Sequence, residues 1–250
     1  MSLEDTPVFV FESGERTAAF SVYCFESLGF KNVQLISEGT TFKEKYLIFA
    51  KKALETKHNI FIRSDADCMP FSGVMLLLEK AINEKYDWLT GVYFDYVMNR
   101  FRGGTPQVLS RKTLDMLIEN KNYMPDSKKP ETDFSIEISH LVKMGDVKIF
   151  TNLHEFEQFP SKVCNSFLNR LKRGHSYLYS KNYLDTLPDY YRSAIKKALD
   201  LMNNEKQEDN MHYRDMTHLD VNFSKIEELN FHEMHIYYSG IYNHLLGDYK

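Results

Sequence analysis

Asp65 and Asp67 close the segment Asn59-Ile60-Phe61-Ile62-Arg63-Ser64-Asp65-Ala66-Asp67-Cys68-Met69-Pro70, an apolar run that ends in two carboxylates one residue apart. Alternate residues of an extended segment point the same way, so both carboxylates can face one cation. Left unpaired at a sheet edge they would repel, whereas a divalent metal carrying a diphosphate would hold them together. The chemistry this suggests is that of an enzyme handling nucleotide-activated substrates.

Further candidates follow along the chain. Glu12 and Ser13 sit just after the first apolar run, where either can meet a base, and Glu38 sits after the second, where it can accept from a base or ribose. Arg102 precedes Gly103-Gly104-Thr105-Pro106, read as a turn-rich loop whose glycines allow close backbone approach while the arginine meets a phosphate or an acidic sugar. Asp133 reads from the residues alone as a helix cap, with Glu131 two residues before it. His154 lies beyond a late strand, with Glu155 and Glu157 close behind. Lys45 reads as solvated on a helix. Asn169-Arg170-Leu171-Lys172-Arg173-Gly174-His175 reads as a charged helix end. His232 and His235 have the wrong spacing for a zinc-protease motif and read as surface residues on a helix docking through Phe231, Ile236 and Tyr237.

The elements that must position these residues alternate. Strands are expected at Val8 to Phe11, Asn32 to Ser37, Ile60 to Ile62 and Asp87 to Phe94. Helices are expected from about Glu15 to Leu28, Phe42 to Thr56, and Ser72 to Glu84, with Ser72 as N-cap. That order implies a mainly parallel sheet covered on both faces, which binds ligands beyond the carboxyl ends of its strands. Farther on, a helix is expected over Arg111 to Glu119, a surface loop over Lys121 to Glu131, a helix over Asp133 to Lys143 and a strand over Val147 to Phe150. From Phe156 the pattern is mostly helical, clearest over Tyr190 to Met202, and Asn203 to Asn210 reads as an exposed turn or linker.

The 250 residues carry a formal charge of -4, which argues against a general binder of nucleic acid or anionic membrane. Hydrophobic residues make up 43%, enough for a core. Three widely spaced cysteines form neither a disulfide framework nor a metal spacing, which favours a reducing cytoplasm. No apolar run has membrane-spanning length, and Met1-Ser2-Leu3 reads as a leader outside the fold. Oligomeric state is left open.

The segment Phe61 to Pro70 resembles the Asp-x-Asp strand end of GT-A-fold, family-2-like glycosyltransferases, and the resemblance extends over roughly Pro7 to Glu155. It implies an α/β fold with a GT-A-type, mainly parallel Rossmann-like sheet flanked by helices. A catalytic core over 1–155 and a helical C-terminal extension over 156–250 go with it. In that family the motif binds manganese or magnesium, which clamps the diphosphate of a nucleotide sugar. The resemblance makes Asp67 the direct ligand, with Asp65 at the metal or the ribose, and His154 an extra ligand from after the last core strand. Pro130-Glu131-Thr132-Asp133-Phe134-Ser135-Ile136-Glu137-Ile138 resembles the family's acidic segment. There a carboxylate, here Asp133 or Glu131, deprotonates the acceptor hydroxyl in an inverting displacement. Arg102 to Lys112 resembles the acceptor-side loop. The turn after the second strand lacks the family's usual Asp, which leaves the base open.

The function expected is therefore a metal-dependent hexosyltransferase moving a sugar from a nucleoside-diphosphate donor to a glycan or lipid-linked acceptor. Alternatives are a nucleotidyltransferase acting on sugar phosphates, a phosphatase of the haloacid-dehalogenase type, and a non-catalytic nucleotide- or glycan-binding module.

Overall fold

The computed structural model describes residues 2–121, 124, 130–172, 184–185, 187–204, 220 and 230–249. Val-Phe-Val-Phe forms β1 (Val8–Phe11), buried on both faces as a continuous apolar run requires of a central strand. It is followed by α1 (Ala18–Ser27), β2 (Val33–Ile36), α2 (Phe42–Glu55), β3 (Ile60–Asp65), β4 (Cys68–Pro70) and α3 (Gly73–Asn83). Then come β5 (Trp88–Asp95), β6 (Arg100–Ser110), α4 (Arg111–Glu119), α5 (Pro130–Ile138) and β7 (Met144–His154). The described C-terminal helices are α6 (Pro160–Lys172), α7 (Asp189–Asn204) and α8 (Phe231–Tyr249).

The seven strands form one sheet in the order β2-β1-β3-β6-β5-β7-β4. β2, β1 and β3 are mutually parallel, β6 runs antiparallel between β3 and β5, and β5 and β7 are parallel. Two reversals restore direction, so β1, β3, β5 and β7 all end at one edge of the sheet. Phe11, Asp65, Asp95 and His154 are the residues that end them. β4, antiparallel to β7, starts at that same edge with Cys68. This is a mixed α/β sheet of GT-A type.

Strand alternation sorts the core. Phe9, Phe11 and Phe61 face α2, α4 and α5 through Tyr46, Phe49, Leu114 and Phe134. Val8, Val10 and Ile62 face the other way, onto Phe25 of α1 and Val74, Leu77 and Leu78 of α3. Leu3, read as part of a leader, packs against this second cluster. α2 starts with a capping box: Thr41 Oγ1 accepts from Glu44 N at 3.2 Å, and Glu44 Oε2 accepts from Thr41 N at 3.0 Å. Ser72 stands at the N-cap of α3 without a capping hydrogen bond.

Three local expectations are corrected. Arg102 to Pro106 is part of the eleven-residue β6 rather than a loop. Pairing with β5 jumps from Thr90↔Gln107 to Val92↔Gly103, so Gly104, Thr105 and Pro106 occupy an irregularity that asks no ladder hydrogen bond of the proline. α5 opens at Pro130, where a proline suits the first turn, so Asp133 is inside the helix and does not cap it. α8 docks through Tyr238 and Tyr242, while Ile236 and Tyr237 are 59% and 65% exposed. Residues 231, 234, 238, 242 and 245 set its inward stripe, and the exposed pair falls off that phase.

Candidate functional site

Arg63 points from β3 into the aromatic core, its guanidinium 4.6 Å from the Phe11 ring, 5.0 Å from Phe42 and 5.4 Å from Tyr46. A buried guanidinium needs counter-charge. Arg63 grips both oxygens of Asp65, one contact being 3.2 Å, and stands 3.7 Å from Glu131. Asp65 is thus compensated from within its own strand. Asp67, beyond the strand end, has His154 Nε2 at 3.4 Å from its Oδ2. Burial raises the Asp67 carboxyl pKa, and the attraction of His154 offsets this only in part.

His154 ends β7 between Cys68 of β4 and Asp95 of β5, its partners in the two ladders. Its strand runs four residues past the expected end at Phe150 because β4 continues the pairing. Nδ1 lies 3.8 Å from Asp95 and 3.9 Å from Glu155. Burial disfavours the imidazolium, but Asp67, Glu155 and Asp95 outweigh it and hold the His154 pKa above its ordinary value.

Behind the histidine, Asp95 is fully buried and accepts from Met98 N at 2.8 Å, Arg102 at 3.0 Å and Arg170 at 3.0 Å. Arg170 also meets Glu155 at 2.7 Å, and Ser166 donates to the same carboxylate. Burial would raise Glu155, yet Arg170 and His154 carry its pKa below the ordinary value. Arg170, read as part of a charged helix end, is thus a buried ion-pair partner; 173–175 of that cluster lie outside the described residues. Glu155 and Glu157 take left-handed backbone, φ 61° and 56°, uncommon for residues with a side chain. Each is tied down by an arginine, Arg170 for the first and Arg16, at 2.9 Å, for the second.

Two cavities meet at this edge. The smaller, about 290 Å³, is lined by Ser13, Glu15, Lys45, Asp65, Asp67 and Lys162 among others. The larger, about 1200 Å³, takes in Asp65, Arg102, Gln107, Glu131, Ser135 and His154. Asp65 borders both, and the Asp67–His154 pair spans their junction.

Among the described residues two donor groups could hold a metal: Asp67, Cys68 and His154, or Asp95, His154 and Glu155, each with ligand atoms within 4.8 Å of one another. The second already has Arg170 between its carboxylates, so its cation is built in. The first carries no such guanidinium and borders the cavities, so a divalent ion fits there.

Other sequence candidates are dispersed. Glu131 lines the larger cavity and takes a hydrogen bond from Gln107, itself bonded by Tyr46 Oη at 2.5 Å. Burial raises its pKa, with Arg63 opposing. Asp133, half-buried on the next part of the turn, lines neither cavity. Glu12 accepts from Ser37 at 2.7 Å, and Glu38 is exposed and paired with Lys52 at 2.7 Å. Lys45 is a correction: it is buried, with Nζ donating to the carbonyls of Glu12 and Ile36 where β1 and β2 end. Glu15, Lys162 and Gln158 escaped sequence reading because nothing local marks them. Arg63 did leave a signal, a charge inside an otherwise apolar strand, and Asp95 stands just past the expected end of another.

No family model matches the chain, and no curated protein does. Solved structures do align. A197 from STIV is 16% identical over 58% of this chain and 82% of its own, with a TM-score of 0.44. A glycosyltransferase involved in glycosylation of the major capsid of PBCV-1 is 10% identical over 60% and 93%, at 0.39. A cytidylyltransferase from Leptospira borgpetersenii is 15% identical over 82% and 99%, also at 0.39. At these distances the site rests on this chain's own residues, and the strand order gives it a GT-A-like fold.

Proposed function

We propose that the chain is a metal-dependent glycosyltransferase that moves a sugar from a nucleoside diphosphate to an acceptor hydroxyl. The observation that carries this reading is the Asp67–His154 pair, 3.4 Å apart, at the junction of two cavities. The smaller cavity, with Lys45 and Lys162 among its carboxylates, suits the nucleotide. The larger suits the sugar and the acceptor, a glycan or a lipid-linked glycan. Asp67 and His154 hold manganese or magnesium, which when bound stabilises the charge developing on the leaving diphosphate. Asp65, its charge met by Arg63, stays fixed beside the ribose.

Glu131 takes the part of base in this reading, since it faces the larger cavity and Asp133 does not. The acceptor oxygen attacks the anomeric carbon as its proton passes to the Glu131 carboxylate. The bond to the phosphate oxygen breaks, and the nucleoside diphosphate leaves with inversion at carbon. Arg102, held against Asp95, orients acidic or phosphorylated groups in the same cavity. The three unpaired, buried cysteines fit a cytoplasmic setting. Among the described residues no helix is long and apolar enough to cross a membrane.

Calorimetry with manganese and a panel of nucleotide sugars tests the reading. Metal-dependent binding of at least one donor is expected, and Asp67→Ala should abolish it. Binding that ignores the metal, or none across the panel, sinks the proposal. Release of pyrophosphate from a nucleoside triphosphate and a sugar phosphate would replace glycosyl transfer with nucleotidyl transfer.

A further inference from the structure

Cys68 opens β4 directly opposite His154 in an antiparallel pair, so the two side chains leave the sheet on the same face. Its Sγ lies 3.7 Å from Asp67 Oδ1 and 4.0 Å from Thr105 Oγ1. Two nitrogen or oxygen ligands about 2.1 Å from a tetrahedral ion stand about 3.4 Å apart, and sulfur at about 2.3 Å stands about 3.6 Å from such an oxygen. Here Asp67 Oδ2 stands 3.4 Å from His154 Nε2 and Asp67 Oδ1 3.7 Å from Cys68 Sγ, so the carboxylate turns one oxygen to each, and one ligand atom from each of the three residues lies within 4.8 Å of the others. His154 turns Nδ1 toward Asp95 and Glu155, an orientation that leaves Nε2 for the ion.

The ordinary explanation of a buried cysteine is that it fills apolar space. It suits the other two: Cys24 packs with Phe20 and Phe71, and Cys164 with Phe167 and Tyr191. Cys68 is as fully buried, yet it belongs to none of the apolar clusters of the core. A carboxylate, a hydroxyl and an imidazole surround its sulfur instead.

We propose that Cys68 Sγ, as thiolate, is a third protein ligand of the ion held by Asp67 and His154. The inference rests on the metal-bound reading above and narrows it. An oxygen–nitrogen–sulfur set favours zinc or cobalt over magnesium. On binding, the S–H bond breaks, the sulfur–metal bond forms, and one proton leaves to solvent for each ion taken up.

The test adds one equivalent of cobalt(II) to metal-free protein without nucleotide and records its absorption. A near-ultraviolet charge-transfer band from thiolate to cobalt is expected, together with visible bands of a low-coordinate ion. Cys68→Ser should lose the charge-transfer band and bind cobalt at least about tenfold more weakly, with magnesium affinity changed less than about twofold. The double variant Cys24→Ser, Cys164→Ser must keep the band, which preserves the test should Cys68→Ser fail to fold. Cobalt binding without the band, or a band that survives in Cys68→Ser, overturns the thiolate ligand and leaves metal-dependent transfer standing. No cobalt binding at all overturns both. A band in a protein that transfers no sugar overturns the transfer reading alone.

Discussion

At the end of β3 the guanidinium of Arg63 holds both oxygens of Asp65, which leaves Asp67 with an imidazole as its nearest cationic neighbour. One buried arginine therefore gives two neighbouring carboxylates different electrostatic surroundings. The same arginine stands 3.7 Å from Glu131, whose pKa nevertheless lies above the ordinary glutamate value of 4.5 because burial outweighs the attraction. A base works only when ionised, so transfer should fall as pH drops through a pKa above that value. A rate profile checks this, and the acid limb should disappear in Glu131→Gln. That variant should lose about 10²–10⁴ in kcat, the usual worth of general-base catalysis, while Asp133→Asn changes it less than about tenfold. The reverse ranking returns the base to Asp133.

Elements matter here through where they stop and what crosses them. β5 and β7 end in Asp95 and His154 at the same edge as Asp65, and α6 then lays Arg170 between Asp95 and Glu155. Removing one partner from a buried ion pair costs about 3–5 kcal/mol, so Arg170→Met should lower unfolding free energy by that order in urea melts. Smaller effects sit at element ends. Thr41→Ala removes the capping-box oxygen of α2 and should cost about 1 kcal/mol. At Gly73 a Cβ would stand 1.8 Å from the Phe150 carbonyl oxygen, so Gly73→Ala must push α3 off β7. Its thermal midpoint should fall well beyond that of Thr41→Ala, and equal midpoints would mean that the helix shifts freely.

Over the whole molecule, what was legible in the sequence is what local pattern determines. Val8 to Phe11 and Ile60 to Ile62 announce central strands because both their faces are apolar, and α2 announces itself by Thr41, Glu44 and its inward Tyr46 and Phe49. Asp65, Asp67 and His154 were legible because motif and order point to them. The long β6 was not, since a bulge lets Gly104 and Pro106 sit in a strand that their residue types disfavour. Nor were Lys45 and Arg170, whose partners Glu12 and Asp95 lie 33 and 75 residues away, nor Glu15, which faces Lys162 of α6.

Arg170 also bears on where the chain can be divided. The expected core ends at Glu155, but the charge that balances Asp95 and Glu155 comes from α6, beyond that boundary. A fragment of residues 1–155 would keep both buried carboxylates and lose the arginine they share, leaving Arg102 on Asp95 and His154 beside Glu155. It should express without a cooperative melt, and a sharp two-state transition in it would contradict this. The sheet edge and the C-terminal helices are therefore not interchangeable modules. A chimera that grafts another helical C-terminal segment onto this sheet must import an arginine at the same place.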